Sequence, residues 1–417
     1  MIQNILQSIS VKILVAIINF FILIITSKFL GVSSRGEISI FILNLAIIQG
    51  INEIYTGYSI IHFVPKFNAK KIFIHGIVFT LILCSLSNVL INLFHKQVPG
   101  YENLTFLISL LVILNTFNSM LLLGKEAIKL YNVLSFFQPL VLLIGIFMSV
   151  FYFKNYTFYS FVIPLLVSFF LAVIASSLAL FKTGFFKSAN NQYQLKPILT
   201  NGFYYQSAFL LFIFCNRLSF YFLNDNKKIG LYAAACMLME SVLLLVNSLA
   251  PILIARIANQ VSGNKSADYT LKFAKLAFIS SAVIVCIIAL IPESFFVFFL
   301  GAGFIGVKLL MLAYAPAILM MSVFTVMKQY FSGQGNQKYI LLGNALGFII
   351  SFILAPLFIA NFSTIGAAYT ANISYAAILL VFVYCFMRSA KMNFIQLIKR
   401  NGEFVFLKQL IKNQSDF

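Results

Sequence analysis

Twelve apolar stretches of about twenty residues run through this 417-residue chain almost end to end, and that pattern leaves few folds open. They read as spans at Val11–Leu30, Ile38–Val64, Phe73–Phe94, Asn103–Leu123, Tyr131–Tyr152, Tyr159–Phe181, Ile198–Leu223, Gly230–Ala255, Leu271–Ile291, Phe304–Met327, Ile340–Ala360 and Gly366–Met387. Inside a bilayer every backbone N–H and C=O must find its partner within the protein, which leaves helices and closed barrels. A barrel needs short strands of alternating polarity, and these Phe/Leu/Ile runs are continuous. With 61% hydrophobic and 9% charged residues, and no long polar segment, the chain has no room for a soluble domain. The expectation is an all-α integral membrane protein with twelve transmembrane helices.

The net charge of +19 is mostly a topology signal. Twenty-one Lys and Arg fall in the N-terminal tail, the even-numbered loops and the C-terminal tail, against seven in the odd-numbered loops. The positive-inside rule then places both termini in the cytoplasm, and nothing in this distribution points to nucleic acid. The first apolar run lacks a small-residue cleavage site and is followed directly by another span, so it reads as a retained helix rather than a signal peptide. All five cysteines fall in spans without a CxxC pair, and the three histidines lie near span ends. Neither set forms a metal or redox motif, so no cofactor is expected.

An internal repeat suggests how the spans are grouped. Phe29-Leu-Gly-Val-Ser-Ser-Arg-Gly-Glu-Ile38 joins spans one and two, and Phe222-Leu-Asn-Asp-Asn-Lys-Lys-Ile-Gly-Leu231 joins spans seven and eight. Six spans separate the two junctions, an even number, so the halves would enter the membrane in the same direction, as parallel repeats do. The longest internal loop, Lys182–Pro197, falls between them. The expected organisation is two six-helix bundles around a central cavity, residues 1–195 and 196–390, followed by a tail at 391–417. The tail mixes apolar residues with Lys and Arg, which suits a cytoplasmic amphipathic segment held on anionic membrane lipids; a partner-binding helix is the other reading.

Ionisable residues inside spans are costly and mark candidate sites. Arg217 follows Asn216 within span seven. It either snorkels outward or clamps an anionic group with its planar fork of donors. Lys28 and Arg35 flank the outer junction of spans one and two, and Arg256 lies at the inner end of span eight; each is either a second cation toward the same cargo or an interfacial anchor. Glu53 lies in span two one helical turn from Gln49, and Glu240 lies in span eight. A carboxylate at such depth is protonated, paired with a cation such as Arg217, or hydrated in a cavity. Substrate binding is therefore sought at Arg217, Arg35, Lys28 and Arg256, and ion coupling at Glu53 and Glu240.

The motifs Ser27-Lys-Phe-Leu-Gly-Val-Ser-Ser-Arg-Gly-Glu-Ile38, Ile229-Gly-Leu-Tyr-Ala233, Pro251, Phe331-Ser-Gly-Gln-Gly-Asn-Gln-Lys338 and Ile365-Gly-Ala-Ala-Tyr-Thr-Ala371 occur in that order against the twelve spans. In this the chain resembles the multidrug/oligosaccharidyl-lipid/polysaccharide exporter superfamily, and within it the polysaccharide and O-antigen flippases. It departs from that pattern where Glu37-Ile38 stands in place of Gly-Tyr. The resemblance implies a multi-pass protein of the bacterial inner membrane that flips a polyprenyl-pyrophosphate-linked oligosaccharide, an O-antigen or capsule repeat unit used in lipopolysaccharide or polysaccharide biosynthesis, to the outer leaflet by alternating access. Its partners would be that lipid-linked oligosaccharide, membrane lipids and other glycan-assembly proteins. The alternative is an H+- or Na+-coupled multidrug exporter of the same superfamily, with Glu53 or Glu240 as the coupling group. No GxxxxGK[ST] run is present, so ATP hydrolysis by this chain is not expected, and no loop is large enough to carry the acid and base of a glycan polymerase.

Overall fold

The computed structural model describes residues 2–93, 98, 100–187, 192–244, 246–247 and 263–392. Arg256, Pro251, His95 and nearly all of the expected tail lie outside these. Among the described residues the ordered elements are all helical, and nine helices are long and apolar enough to cross a membrane. The protein is thus an all-α, multi-span integral membrane protein.

The first part of the chain comprises α1 (Ile2–Ile25), α2 (Gly31–Thr56), α3 (Ser59–Phe63), α4 (Ala69–Leu93), α5 (Glu102–Gly124), α6 (Ile128–Phe147) and α7 (Tyr159–Lys182). The second comprises α8 (Leu195–Arg217), α9 (Ser219–Phe222), α10 (Asn226–Glu240), α11 (Gly263–Leu290), α12 (Glu293–Leu300), α13 (Val307–Gly333) and α14 (Gln337–Ala390). Within the first part, α1 packs on α6, α5 and α6 on α7, and α2 on α4 and α5. Within the second, α13 packs on α11 and α14, and α8 on α14. Helix α2 reaches from one part to the other and lies against both α8 and α10.

Two helical runs of 54 residues each, Ser10–Phe63 and Gln337–Ala390, are far too long for one crossing. The first is broken near Gly31 and again at Gly57, and the second at Ser363. Between α1 and α2 a five-residue π-helical turn, Thr26–Leu30, ends at Gly31, whose φ of 83° lies in the region open to glycine. In α14 the break is Ser363 (φ 53°, ψ −130°), which folds the helix back on itself. Gly343 then packs beneath Phe382 and Gly347 beneath Ile378, and the hydroxyls of Ser351 and Ser374 meet at 2.8 Å. The Gly-x-x-x-Gly spacing of span eleven is therefore a packing surface for span twelve.

The repeated junctions found in the sequence touch each other. A methyl group on Gly36 would overlap the Asn226 carbonyl, and one on Gly230 would overlap that of Val32, so the first turns of α2 and α10 approach backbone to backbone. Asn226 donates across this crossing to the Glu37 carboxylate at 3.2 Å. The start of α10 is capped by Asp225, which accepts from the Lys227 amide at 2.9 Å.

Proline inside a membrane helix frees backbone groups that must be satisfied again. At Pro316 in α13 the carboxamide of Asn372 does so, accepting from the Ala317 amide at 2.9 Å and donating to the Ala313 carbonyl at 2.9 Å. Those two groups would bond to each other in an unbroken helix.

Candidate functional site

Span seven is shorter than its hydropathy suggests. The helix α8 ends at Arg217, and α9 takes up the remaining apolar residues, so Arg217 occupies a helix C-terminus, where the backbone dipole favours a cation. Its Nη2 donates to Glu240 Oε2 at 2.6 Å, and the guanidinium lies over the Phe220 ring at 5.4 Å. Asn216 donates to the other Glu240 oxygen at 3.3 Å and accepts from the Tyr314 hydroxyl at 3.2 Å; that hydroxyl lies 3.3 Å from the one on Tyr375. Glu240 is the last residue of α10, so this ion pair joins the ends of two helices within the second part of the chain. Its side chains are 20% and 23% exposed, which leaves the pair at the edge of the packed interior.

Arg35 is 2% exposed. Its Nη1 donates to the Thr26 hydroxyl at 3.2 Å and its Nη2 meets the Met237 sulfur of α10, while Nε has no partner. Arg217 Nη1 also lacks a partner, and the two guanidiniums are near enough to repel each other. Lys28 is set apart from them on the surface, with its ammonium 4.9 Å from the Phe298 ring centre on α12. Of the four cations singled out in the sequence, the structure brings Arg35 and Arg217 together, leaves Lys28 outside that cluster, and does not describe Arg256.

Glu53 is held differently. It is 8% exposed, and among the described residues no cation pairs with it. Gln49 donates to Oε1 at 2.7 Å from one turn away on α2, and Gln206 donates to Oε2 at 2.8 Å from α8. Gln49 also reaches the Thr116 hydroxyl of α5 at 3.3 Å. Around this carboxylate the helices are glycine-tight. A methyl group on Gly202 would overlap the Ile54 carbonyl, and one on Gly57 would fall 2.6 Å from Gln206 Nε2. Gln206 was not singled out in the sequence, although Gly202 and Gln206 are one turn apart on a common helix face, the spacing that also pairs Gln49 with Glu53.

Two further polar groups join the same interior. Tyr221 donates to Asn44 of α2 at 2.6 Å, and half-buried Lys328 of α13 holds its ammonium 5.6 Å from the Phe212 ring centre. Among the described residues no group of three His, Cys, Asp or Glu side chains could hold a metal ion. Cys84, Cys215, Cys236 and Cys385 are buried packing residues, and Cys286 is exposed.

No family model and no curated protein matches the chain in sequence. Solved structures do match in shape. The lipid II flippase MurJ in an inward closed conformation superposes with a TM-score of 0.69 at 15% identity, over 99% of this chain and 96% of that one. A multidrug resistance MATE family transporter of the MOP superfamily, in an inward-facing conformation, gives 0.74 at 13% identity over 95% and 100%. A MOP superfamily transporter from Pyrococcus furiosus gives 0.69 at 12% over 95% and 96%. Similarity at this level of identity speaks to architecture, and it extends over nearly the whole of each chain. The chain therefore has the fold of the MOP-superfamily membrane transporters.

Proposed function

We propose that this chain is an alternating-access exporter whose transport is coupled to H+ or Na+ at Glu53, with a small molecule as cargo. One observation carries the reading: Glu53 is a buried carboxylate with no countercharge among the described residues, held between carboxamides from the two parts of the chain. A charge in that setting is costly, so binding a proton or a cation there changes the energy of the contact between the parts. Arg217, by contrast, is already neutralised by Glu240 and has less to offer an anionic cargo. The multidrug transporter with the same fold supports the same choice.

On this reading the chain forms twelve spans in two six-helix halves, residues 1–195 and 196–390, around a central cavity. It lies in a bacterial inner membrane with both termini cytoplasmic, and the Thr56 end of α2 faces the cytoplasm. No cofactor and no covalent step is involved. The tail at 391–417 would rest on the cytoplasmic leaflet. Purified protein in liposomes should extrude a cationic dye when an H+ or Na+ gradient is imposed, and Glu53→Gln should abolish the dependence on the gradient. Transport by Glu53→Gln that keeps the wild-type response would exclude Glu53 as the coupling group.

A second reading, translocation of a polyprenyl-pyrophosphate-linked oligosaccharide, is favoured by Arg35 and Arg217. Each has an N–H without a partner, one from each half, and a pyrophosphate could satisfy both. The flippase with the same fold matches the chain over almost its full length. In this case Arg35 and Arg217 would bind substrate, with Lys28 and Arg256 guiding its approach, and the sugar would require contacts with other glycan-assembly proteins. A leaflet-accessibility assay with undecaprenyl-pyrophosphate oligosaccharide separates the two. Movement of that lipid without any dye efflux would reverse the ranking.

A further inference from the structure

We infer that Gln206 is the positioning residue through which the charge on Glu53 sets the closure between the two parts of the chain at the Thr56 end of α2. The inference rests on the coupling role proposed for Glu53 and adds the element on which that role acts.

Three observations converge on Gln206. Its Nε2 donates to Glu53 Oε2 at 2.8 Å across 153 residues of sequence, so the bond joins α8 to α2. The close approach beside it depends on glycine: a Gly202 side chain would overlap the Ile54 carbonyl, and Gly57 clears the space next to Nε2. The other end of the carboxamide, Oε1, is buried and has no partner, although Gln206 is 3% exposed. A buried carbonyl oxygen without a donor is costly, and it needs an explanation.

A change of protonation state supplies one. The ionised carboxylate only accepts, and it receives one N–H from Gln49 and one from Gln206. When Glu53 takes up a proton, one oxygen becomes a hydroxyl that needs an acceptor. Rotation of the Gln206 carboxamide offers Oε1, and the orphan oxygen is satisfied. The bond across the contact is then neutral where it was charge-assisted, and charge-assisted bonds are roughly twice as strong. Proton uptake thus loosens this end, while the Nε2 hydrogens move to the side that Oε1 had faced. Tyr58, on the turn after α2, is a titratable side chain near Glu53. His62 on α3, His75 on α4, Lys196 and Tyr205 on α8 and Glu240 on α10 make no hydrogen bond or ion pair with it.

The test uses the full chain in liposomes with exposed Cys286 replaced by Ala and a reporter cysteine in place of Ser59. Ser59 is buried and donates to the Ile198 carbonyl at 3.5 Å, beside the Gly202 contact. A membrane-impermeant maleimide, admitted to the Thr56 side, should label the reporter about fivefold faster in mildly acid than in mildly alkaline buffer, after correction for thiolate reactivity on an unfolded control. Gln206→Met, close in size, should label fast in both buffers. Gln206→Glu should invert the response: two ionised carboxylates repel in alkaline buffer and open the contact, whereas one shared proton closes it in acid. Inversion cannot arise from a damaged fold. If Gln206→Met keeps the wild-type ratio, or if folded Gln206→Glu does not invert, the inference fails. If Glu53→Gln itself keeps the wild-type ratio, the role of Glu53 fails with it.

Discussion

Glu53 and Glu240 are both acidic residues in membrane helices, and the protein treats them in opposite ways. Glu240 is matched by Arg217 at 2.6 Å within the second part of the chain and is braced by Asn216 and Tyr314. Among the described residues Glu53 has only carboxamide donors, and one of them belongs to the other part. An ion pair within one part of the chain is already neutral. A carboxylate held by neutral donors from both parts can exchange a proton or a cation and change the contact between them as it does so. Burial alone therefore does not mark a functional carboxylate; what holds it does.

The comparison can be broken most strongly at Arg217. Replacing it with Ala leaves Glu240 without its cation, and because both side chains keep about a fifth of their exposure the cost should fall near the lower end of the range for broken buried pairs, about 3 kcal/mol. Thermal unfolding in detergent reads this as a lowered midpoint. The double change Arg217→Met with Glu240→Leu should recover most of it, since well-packed apolar replacement of a pair is close to neutral. If the single change is silent, the pair is not structural and the contrast with Glu53 falls.

Asn372 shows that a carboxamide can also be purely structural. Asn372→Leu would strand the Ala313 carbonyl and the Ala317 amide at the Pro316 break, at a cost of about 2 kcal/mol in the same unfolding measurement. Its gradient dependence should be unchanged, in contrast to the loss expected from Glu53→Gln. Tyr314→Phe removes one hydrogen bond to Asn216 behind the ion pair and should cost about 1 kcal/mol, again without altering coupling. The smallest effect on stability belongs to Glu53→Gln, within about 0.5 kcal/mol, because a carboxamide can still exchange hydrogen bonds with Gln49 and Gln206. A midpoint lowered as far as that of Arg217→Ala would mean that Glu53 is as structural as Glu240.

The membrane-spanning character of the chain was legible from one residue type after another, because burying apolar side chains in lipid depends on local composition. So were the bends: Gly31 sits at a junction the sequence marked by its repeat, and Ser363 lies between the last two spans. Boundaries set by polar partners were not. Hydropathy carried span seven through to Leu223, whereas the helix is interrupted after Arg217, which pairs with a carboxylate on a different helix. The sequence also identified Arg217, Arg35, Glu53 and Glu240 as groups too costly to bury alone, but not the distribution of their partners.

That distribution was decided by the tertiary structure. Glu53 finds Gln206 from 153 residues away only because Gly202 and Gly57 let α2 and α8 come close, and Arg35 meets α10 because Gly36 and Gly230 allow a similar approach at the other end of α2. The cost of placing a charge in the membrane is a property of the residue, so the sequence states it. The group that relieves the cost is chosen by which helix faces cross and how closely, and that follows from packing summed over the whole chain.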